Sequence, residues 1–210
     1  VIDPVHVGKD AGELLDGVHR NMPIYSTVSD FLNQSGEKAD YFIIGIANAG
    51  GKLDPNRMPE IETSLQAGMS IVNGMHEFLS EKSEVASLAD NHKASLIDVR
   101  KPKARGDQKF WSAEIYEVKC PIIPGIGTDC AVGKRTTARF LMEALAEKGV
   151  NAPMVYTGQT GWMQGNDHGF VFDSTLNDFV SGELEHAIVS CYREAKPDMI
   201  LVEGQSALRN

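Results

Sequence analysis

An α/β fold with parallel sheets is predicted from three observations. Short apolar runs alternate with amphipathic helical stretches along the chain. Glycine- and hydroxyl-rich turns follow several of those runs at their carboxyl ends, where open α/β sheets build ligand crevices. One of these turns, Gly127-Thr-Asp-Cys-Ala-Val-Gly133-Lys134-Arg135-Thr136-Thr137, has the composition of a phosphate cradle. The 210 residues, 42% of them hydrophobic, suffice for one large or two modest domains with cores of their own.

In the first half, Pro23-Ile24-Tyr25 reads as a brief extended piece, and a short helix follows with Ser29 or Asp30 as its cap. Tyr41 to Ala47 is a continuous apolar run of the kind covered on both faces in a parallel sheet, so a central strand is expected there. Asn48-Ala-Gly-Gly-Lys-Leu53 follows at its carboxyl end. A helix from Pro59 to Ala67 places Ile61 and Leu65 on one face and stops at Gly68. A strand over 69–74, a helix over 81–94 with Val85, Leu88 and Ala89 on one face, and a strand over 96–99 complete the half. His76-Glu77-Phe78-Leu79-Ser80 lacks the second histidine of a zinc-protease helix and is set aside. Residues 1–100 thus read as a Rossmann-like domain, although the G-x-G-x-x-G fingerprint is missing.

From Arg100 to Lys109 the chain turns polar and basic, and residues 101–118 are expected to form a linker or exposed crossover. Residues 119–210 then read as a P-loop NTPase-like parallel-sheet domain. Ile122-Ile123 feeds the glycine loop, but Pro121 and Pro124 are unexpected in the central strand that ordinarily precedes such a loop. The helix from Thr137 to Lys148 carries Phe140, Leu141, Ala144 and Leu145 on a common face and stops at Gly149. Met154-Val155-Tyr156 is a strand ending in Thr157-Gly158-Gln159-Thr160-Gly161, a helix spans about 177–195, and Asp198 to Glu203 is a strand ending in an acid. The chain opens at Val1-Ile2-Asp3 without methionine and stops just after a strand, so both domains are expected to be truncated at their outer ends.

A formal charge of −9 argues against a broad nucleic-acid or anionic-membrane surface, so any phosphate recognition should be local. Cys120, Cys130 and Cys191 are too few and too unpatterned for a disulfide framework or a zinc ribbon. Cys130 lies inside the loop, either as a reactive thiol or as a small residue filling a tight turn. No apolar run approaches the roughly 18 residues of a membrane span, and the N-terminus lacks a signal pattern. A soluble, cytoplasmic protein is expected. Small-molecule substrates, assembly as a homo-oligomer and no resident metal complete the expectation.

The loop departs from G-x-x-x-x-G-K-[ST]: five residues separate its glycines, and Arg135 stands where the metal-facing hydroxyl should be. Thr136 or Thr137 can supply that hydroxyl one position later, or the site grips phosphate without a metal. Glu203, at the end of an apolar strand, is the pattern that brings a carboxylate beside such a loop.

Three stretches together, the loop over 127–137, Thr-Gly-Gln-Thr-Gly over 157–161 and Val-Glu-Gly-Gln over 202–205, resemble the D-glutamate N-acetyltransferase family, long described as a domain of unknown function with a Rossmann-like N-terminal half. Gly45-Ile-Ala, Asn73-Gly-Met-His-Glu-Phe-Leu and Asp98-Val-Arg-Lys-Pro resemble its N-terminal landmarks. The resemblance spans almost the whole chain and implies acetyl transfer from acetyl-coenzyme A to the amino group of D-glutamate. Gly127, Thr128, Asp129, Cys130, Gly133, Lys134, Arg135, Thr136 and Thr137 would then hold the coenzyme phosphates, which makes sense of Arg135. Such a transfer needs a base and oxyanion donors. Asp129 and Glu203 are the candidates for the base; as alternatives, Asp129 caps the loop and Glu203 fixes Lys134. The loop amides or Thr157 would serve the oxyanion. Thr157, Gln159, Thr160 and Arg100 are the candidates for substrate binding, since an acidic amino acid calls for a cationic clamp; Arg105, Arg135 and Arg139 are also available. His168 is either a proton shuttle or a surface-turn histidine, and Trp162 and Met163 line an apolar wall or pack in a core.

Gly-Thr-Asp-x-x-Val-Gly-Lys and Val-Glu-Gly also resemble dethiobiotin synthetase, an ATP-dependent ligase. On that alternative Lys134 and Thr136 hold ATP and magnesium, with Glu203 or Asp129 on the metal, and Arg135 is the departure. A non-catalytic nucleotide-binding module is the third reading.

Overall fold

The computed structural model describes residues 1–46, 48–129 and 131–207. These divide into two compact units, Val1–Val99 and the residues from Arg100 onward.

The first unit opens with α1 (Ala11–Asp16), whose N-cap Asp10 accepts N–H bonds from Gly12 and Glu13, and α2 (Val28–Gln34), capped by Thr27. Its sheet consists of β1 (Tyr41–Ile44), β2 (Ser70–Asn73) and β3 (Leu96–Asp98), all parallel in the order β1-β2-β3, with Ile43 opposite Val72 and Val72 opposite Ile97. The crossovers are α3 (Met58–Gln66) and α4 (Ser83–Asn91). Ile61 and Leu65 of α3 and Val85 and Ala89 of α4 close over Ile71, as their helical spacing predicts. Gly68 takes the left-handed conformation (φ +79°) that stops the chain after α3. The central strand is β2, not the Tyr41–Ala47 run expected there. β1 lies at an edge of the described sheet, with Tyr41 and Ile43 exposed. An apolar run reports apolar neighbours and cannot say whether a second strand flanks it. Ala47, the end of that run, falls outside the described residues.

The second unit contains β4 (Ile122–Gly127), α5 (Lys134–Ala146), β5 (Met154–Val155), α6 (Gln159–Met163), α7 (Val180–Ala195) and β6 (Ile200–Ala207). All three strands are parallel in the order β4-β6-β5, so the acid-bearing strand is the middle one. Its side chains alternate: Ile200 and Val202 pack with Ile188 and Cys191 of α7, whereas Leu201 packs with Ala138 and Met142 of α5. β4 is an edge strand of the described sheet, which accommodates Pro124 within it, because a proline at an edge need not donate to a ladder on its outer side.

Two sequence expectations for this unit change. Helix α5 starts at Lys134, earlier than Thr137, and buries Ala138 with Met142 and Leu145 partly covered, while Phe140, Leu141 and Ala144 are exposed. Ala138, Met142 and Leu145 follow the i, i+4, i+7 spacing of a single face, so the helix meets the sheet through a neighbouring stripe of the same sequence. Residues 101–118, expected as a linker or exposed crossover, cluster with this unit, as does Arg100, expected in the first domain; two buried carboxylates of α7 hold the segment. Glu183 accepts the Lys109 N–H (2.9 Å) and Lys103 Nζ (2.7 Å); Glu185 accepts the N–H of Ser112 (2.5 Å) and of Ile115 (3.1 Å). Burial pushes the Glu185 carboxyl up, but these N–H bonds outweigh it and the net shift is downward.

Candidate functional site

The parallel order β4-β6-β5 brings three groups together: the glycine loop after β4, the Thr157 turn after β5 and Glu203 in the middle of β6. Glu203 stands opposite Gly125 in register, and the ladder becomes irregular between Gly125 and Gly127, where β6 carries extra residues before Ala207. Such bulges release a strand from its pairing and re-aim its side chains.

The loop has the backbone of an anion cradle. Ala131 (φ +54°) and Gly133 (φ +90°) are left-handed, and Gly133 caps α5 with no side-chain hydrogen bond, leaving the first-turn amides to an incoming acceptor. The Lys134 stem runs through a channel that glycines keep open: a Cβ on Gly127 would lie 2.9 Å from its Cγ, and one on Gly204 would lie 3.4 Å from its Cδ and 2.0 Å from the Gly125 carbonyl oxygen. Lys134 Nζ donates to the main-chain oxygen of Asp129 at 2.8 Å. Beside it, a cavity of about 300 Å³ opens between β4 and α5, walled by Ile123, Gly125, Val132, Ala138 and Leu141. Thr128, Asp129, Thr136 and Thr137 are exposed, Arg135 is half-buried, and Cys130 falls outside the described residues.

Glu203 is buried and held at two points by Thr157, whose N–H donates to Oε2 (3.0 Å) and whose hydroxyl donates to the Glu203 main-chain oxygen (2.7 Å). Its carboxylate thus bonds to the β5 turn, not to Lys134 as the structural alternative supposed. The glycines of Thr-Gly-Gln-Thr-Gly make room for it: a Cβ on Gly161 would lie 3.3 Å from Oε2 and 2.3 Å from Tyr156 Cβ, and one on Gly158 would lie 3.6 Å from Oε1. Because both donors of Thr157 are spent on Glu203, its expected role toward an oxyanion does not hold. Gln159 and Thr160 are half-buried in the first turn of α6. Arg100 pairs with Asp173, and Arg139 pairs with Glu143 on the outer face of α5. The His168 main-chain oxygen accepts the Tyr156 N–H. Among the described residues, no helix is long and apolar enough to cross a membrane.

Two family profiles match this arrangement: a DUF1611 Rossmann-like domain of unknown function over residues 4–102, and a DUF1611 P-loop domain of unknown function over residues 109–210. The chain belongs to the DUF1611 family. A DUF1611 protein from Anabaena variabilis, solved by crystallography, superposes with a TM-score of 0.85 at 32% identity, covering 100% of this chain and 58% of that one. A D-glutamate N-acetyltransferase from a Pseudoalteromonas species is 34% identical over 188 residues, 87% of this chain and 54% of the relative. One of the same name from Tritonibacter scottomollicae is 27% identical over 194 residues, 92% of this chain and 55% of the relative. The chain therefore spans about half the length of these curated relatives.

Sequence reasoning missed the part that Gln205, Gly158 and Gly161 play around Glu203. The one available signal was the glycine spacing of 157–161, whose meaning depends on a strand far along the chain.

Proposed function

We propose that this DUF1611 protein transfers the acetyl group of acetyl-coenzyme A to the amino group of D-glutamate. The reading is carried by one observation, the convergence of a glycine loop leading into α5 and a buried, glycine-cradled carboxylate in the adjacent strand β6. It is supported by the name that two relatives bear. On this reading the loop backbone of Gly127, Thr128, Asp129 and Gly133, with the first turn of α5 through Thr136 and Thr137, receives the coenzyme pyrophosphate. Lys134 exchanges its bond to the Asp129 carbonyl for a phosphate oxygen, and Arg135 adds a second charge. Acetyl-coenzyme A supplies the acyl carbon, activated as a thioester. Glu203 takes one proton from the substrate ammonium, and the freed amine attacks the acyl carbon. The C–N bond forms, the C–S bond breaks, the second nitrogen proton ends on the departing thiol, and Glu203 returns its proton to solvent. Glu203 suits this base better than Asp129, because it is buried beside the strand-end turns whereas Asp129 stands exposed on the loop.

The test is calorimetric titration of the purified protein with acetyl-coenzyme A and, separately, with ATP plus magnesium, followed by a thiol-release assay with D- and L-glutamate. Acetyl-coenzyme A binding and thiol release that depends on D-glutamate are expected. Binding of ATP with magnesium, but not of acetyl-coenzyme A, would overturn the reading in favour of the ligase-like chemistry.

A further inference from the structure

Acyl transfer needs a donor for the acyl oxygen as it gathers charge, and the structure removes Thr157 from that role, since its N–H and hydroxyl both go to Glu203. Gln205 lies two residues beyond Glu203, roughly 7 Å along the strand. It sits in the stretch of β6 where pairing with β4 is irregular, which is where a strand can turn a side chain out of its ordinary alternation. Its carboxamide meets Glu203 over a single glycine: a Cβ on Gly158 would lie 2.8 Å from Gln205 Nε2 and 3.6 Å from Glu203 Oε1. Any side chain at 158 would fill the space the two tips share.

Both tips are unspent. Glu203 uses Oε2 for the Thr157 N–H, and among the described residues neither Glu203 Oε1 nor the half-buried Gln205 carboxamide has a hydrogen-bond partner. Neither is sealed off, because among the described residues the one fully buried side-chain polar atom without a partner is Gln108 Oε1. An acceptor and a donor that have no partner among the described residues thus both approach the Cβ position of Gly158. An attacking nitrogen and the acyl oxygen are substituents of the same carbon, so a base and an oxyanion donor have to converge in just this way.

We infer that Gln205 is a catalytic residue that donates its Nε2–H to the acyl oxygen of the thioester in the transition state, an inference that rests on the acetyl-transfer reading of the site. The C–N bond forms and the C–S bond breaks as that oxygen carries its transient charge, and Gln205 neither gains nor loses a proton.

The test compares the parent protein with Gln205→Met, which keeps the length and removes the donor, and Gln205→Glu, which puts a negative charge where the oxyanion forms. Thermal melting checks that each variant is folded, and calorimetry with acetyl-coenzyme A checks the donor site. Both variants are expected to lose about 100- to 1,000-fold in kcat, with KM for either substrate and coenzyme affinity nearly unchanged, as for an interaction made only in the transition state. If one variant does not fold, the other carries the comparison. A parent that releases thiol while a folded variant keeps its kcat, or loses activity through KM alone, overturns the role of Gln205 and leaves the acetyl-transfer reading standing. A parent that releases no thiol with any amino acid overturns both.

Discussion

Thr157 grips Glu203 twice, by its main-chain N–H at the carboxylate (3.0 Å) and by its hydroxyl at the main-chain carbonyl (2.7 Å), across 46 residues of chain. Burying a carboxylate is costly unless its lone pairs are met, and the first bond meets that need while fixing which oxygen faces outward. Thr157→Val keeps the shape and the N–H but strips the hydroxyl from a buried site. It is expected to cost about 1–2 kcal/mol in urea denaturation and to lower kcat by loosening Glu203, whereas Thr157→Ser stays close to the parent. Equal stability and activity of the two variants would remove the latch from the account.

Lys134 presents the reverse case, a side chain whose observed bond is to its own loop and whose removal leaves no buried partner stranded. Lys134→Ala should melt close to the parent and bind acetyl-coenzyme A roughly 10- to 100-fold more weakly by calorimetry, the loss of one charge-assisted bond to phosphate. Unchanged affinity in the folded variant would take the loop out of the donor site.

Asp10 contributes acid-sensitive stability to the first unit. Burial alone would raise its carboxyl, but N–H bonds from Arg20, Met22 and Glu13, with His19 nearby, outweigh it and lower the group to about 2. A folded value below the unfolded one, about 3.9, means that the contribution is complete above about pH 4 and is lost as pH falls toward 2. Asp10→Asn should therefore be less stable than the parent at pH 7, and the two melting curves should converge between pH 4 and pH 2. A gap that persists at pH 2 would count against this assignment.

Cys191, on the buried face of α7, lies wholly within the core, and burial, with Cys120 and Glu194 nearby, pushes its thiol up to about 11. At pH 8 only about one molecule in a thousand then carries the thiolate, and that one is shielded. Iodoacetamide followed by peptide mapping should leave Cys191 unmodified in the native protein and modify it in urea. Comparable labelling in both would show that α7 opens readily.

Much of the fold was legible because its signals are local. The i, i+4 pair Ile61 and Leu65 and the left-handed Gly68 mark α3 and its end within a dozen residues, and the phosphate loop advertises itself by glycine spacing and by the lysine that starts α5. The position of each strand in its sheet was not legible. Tyr41–Ile44 reads as central and lies at an edge of the described sheet, whereas Pro124 reads as an anomaly until β4 is seen to be an edge strand.

The site divides along the same line. Sequence alone determined which groups are present, a glycine loop with Lys134 and an acid directly after an apolar run, because each lies within one short stretch whose spacing carries the meaning. Only the tertiary structure decided which groups are free to act. Thr157 offers two good donors in the sequence and has none left in the fold, Lys134 answers to the Asp129 carbonyl and not to Glu203, and Gln205 keeps a carboxamide in hand. Those outcomes follow from parallel strands that set residue 157 beside residue 203, and no local rule of spacing can express which of two distant groups has already spent its hydrogen bond on the other.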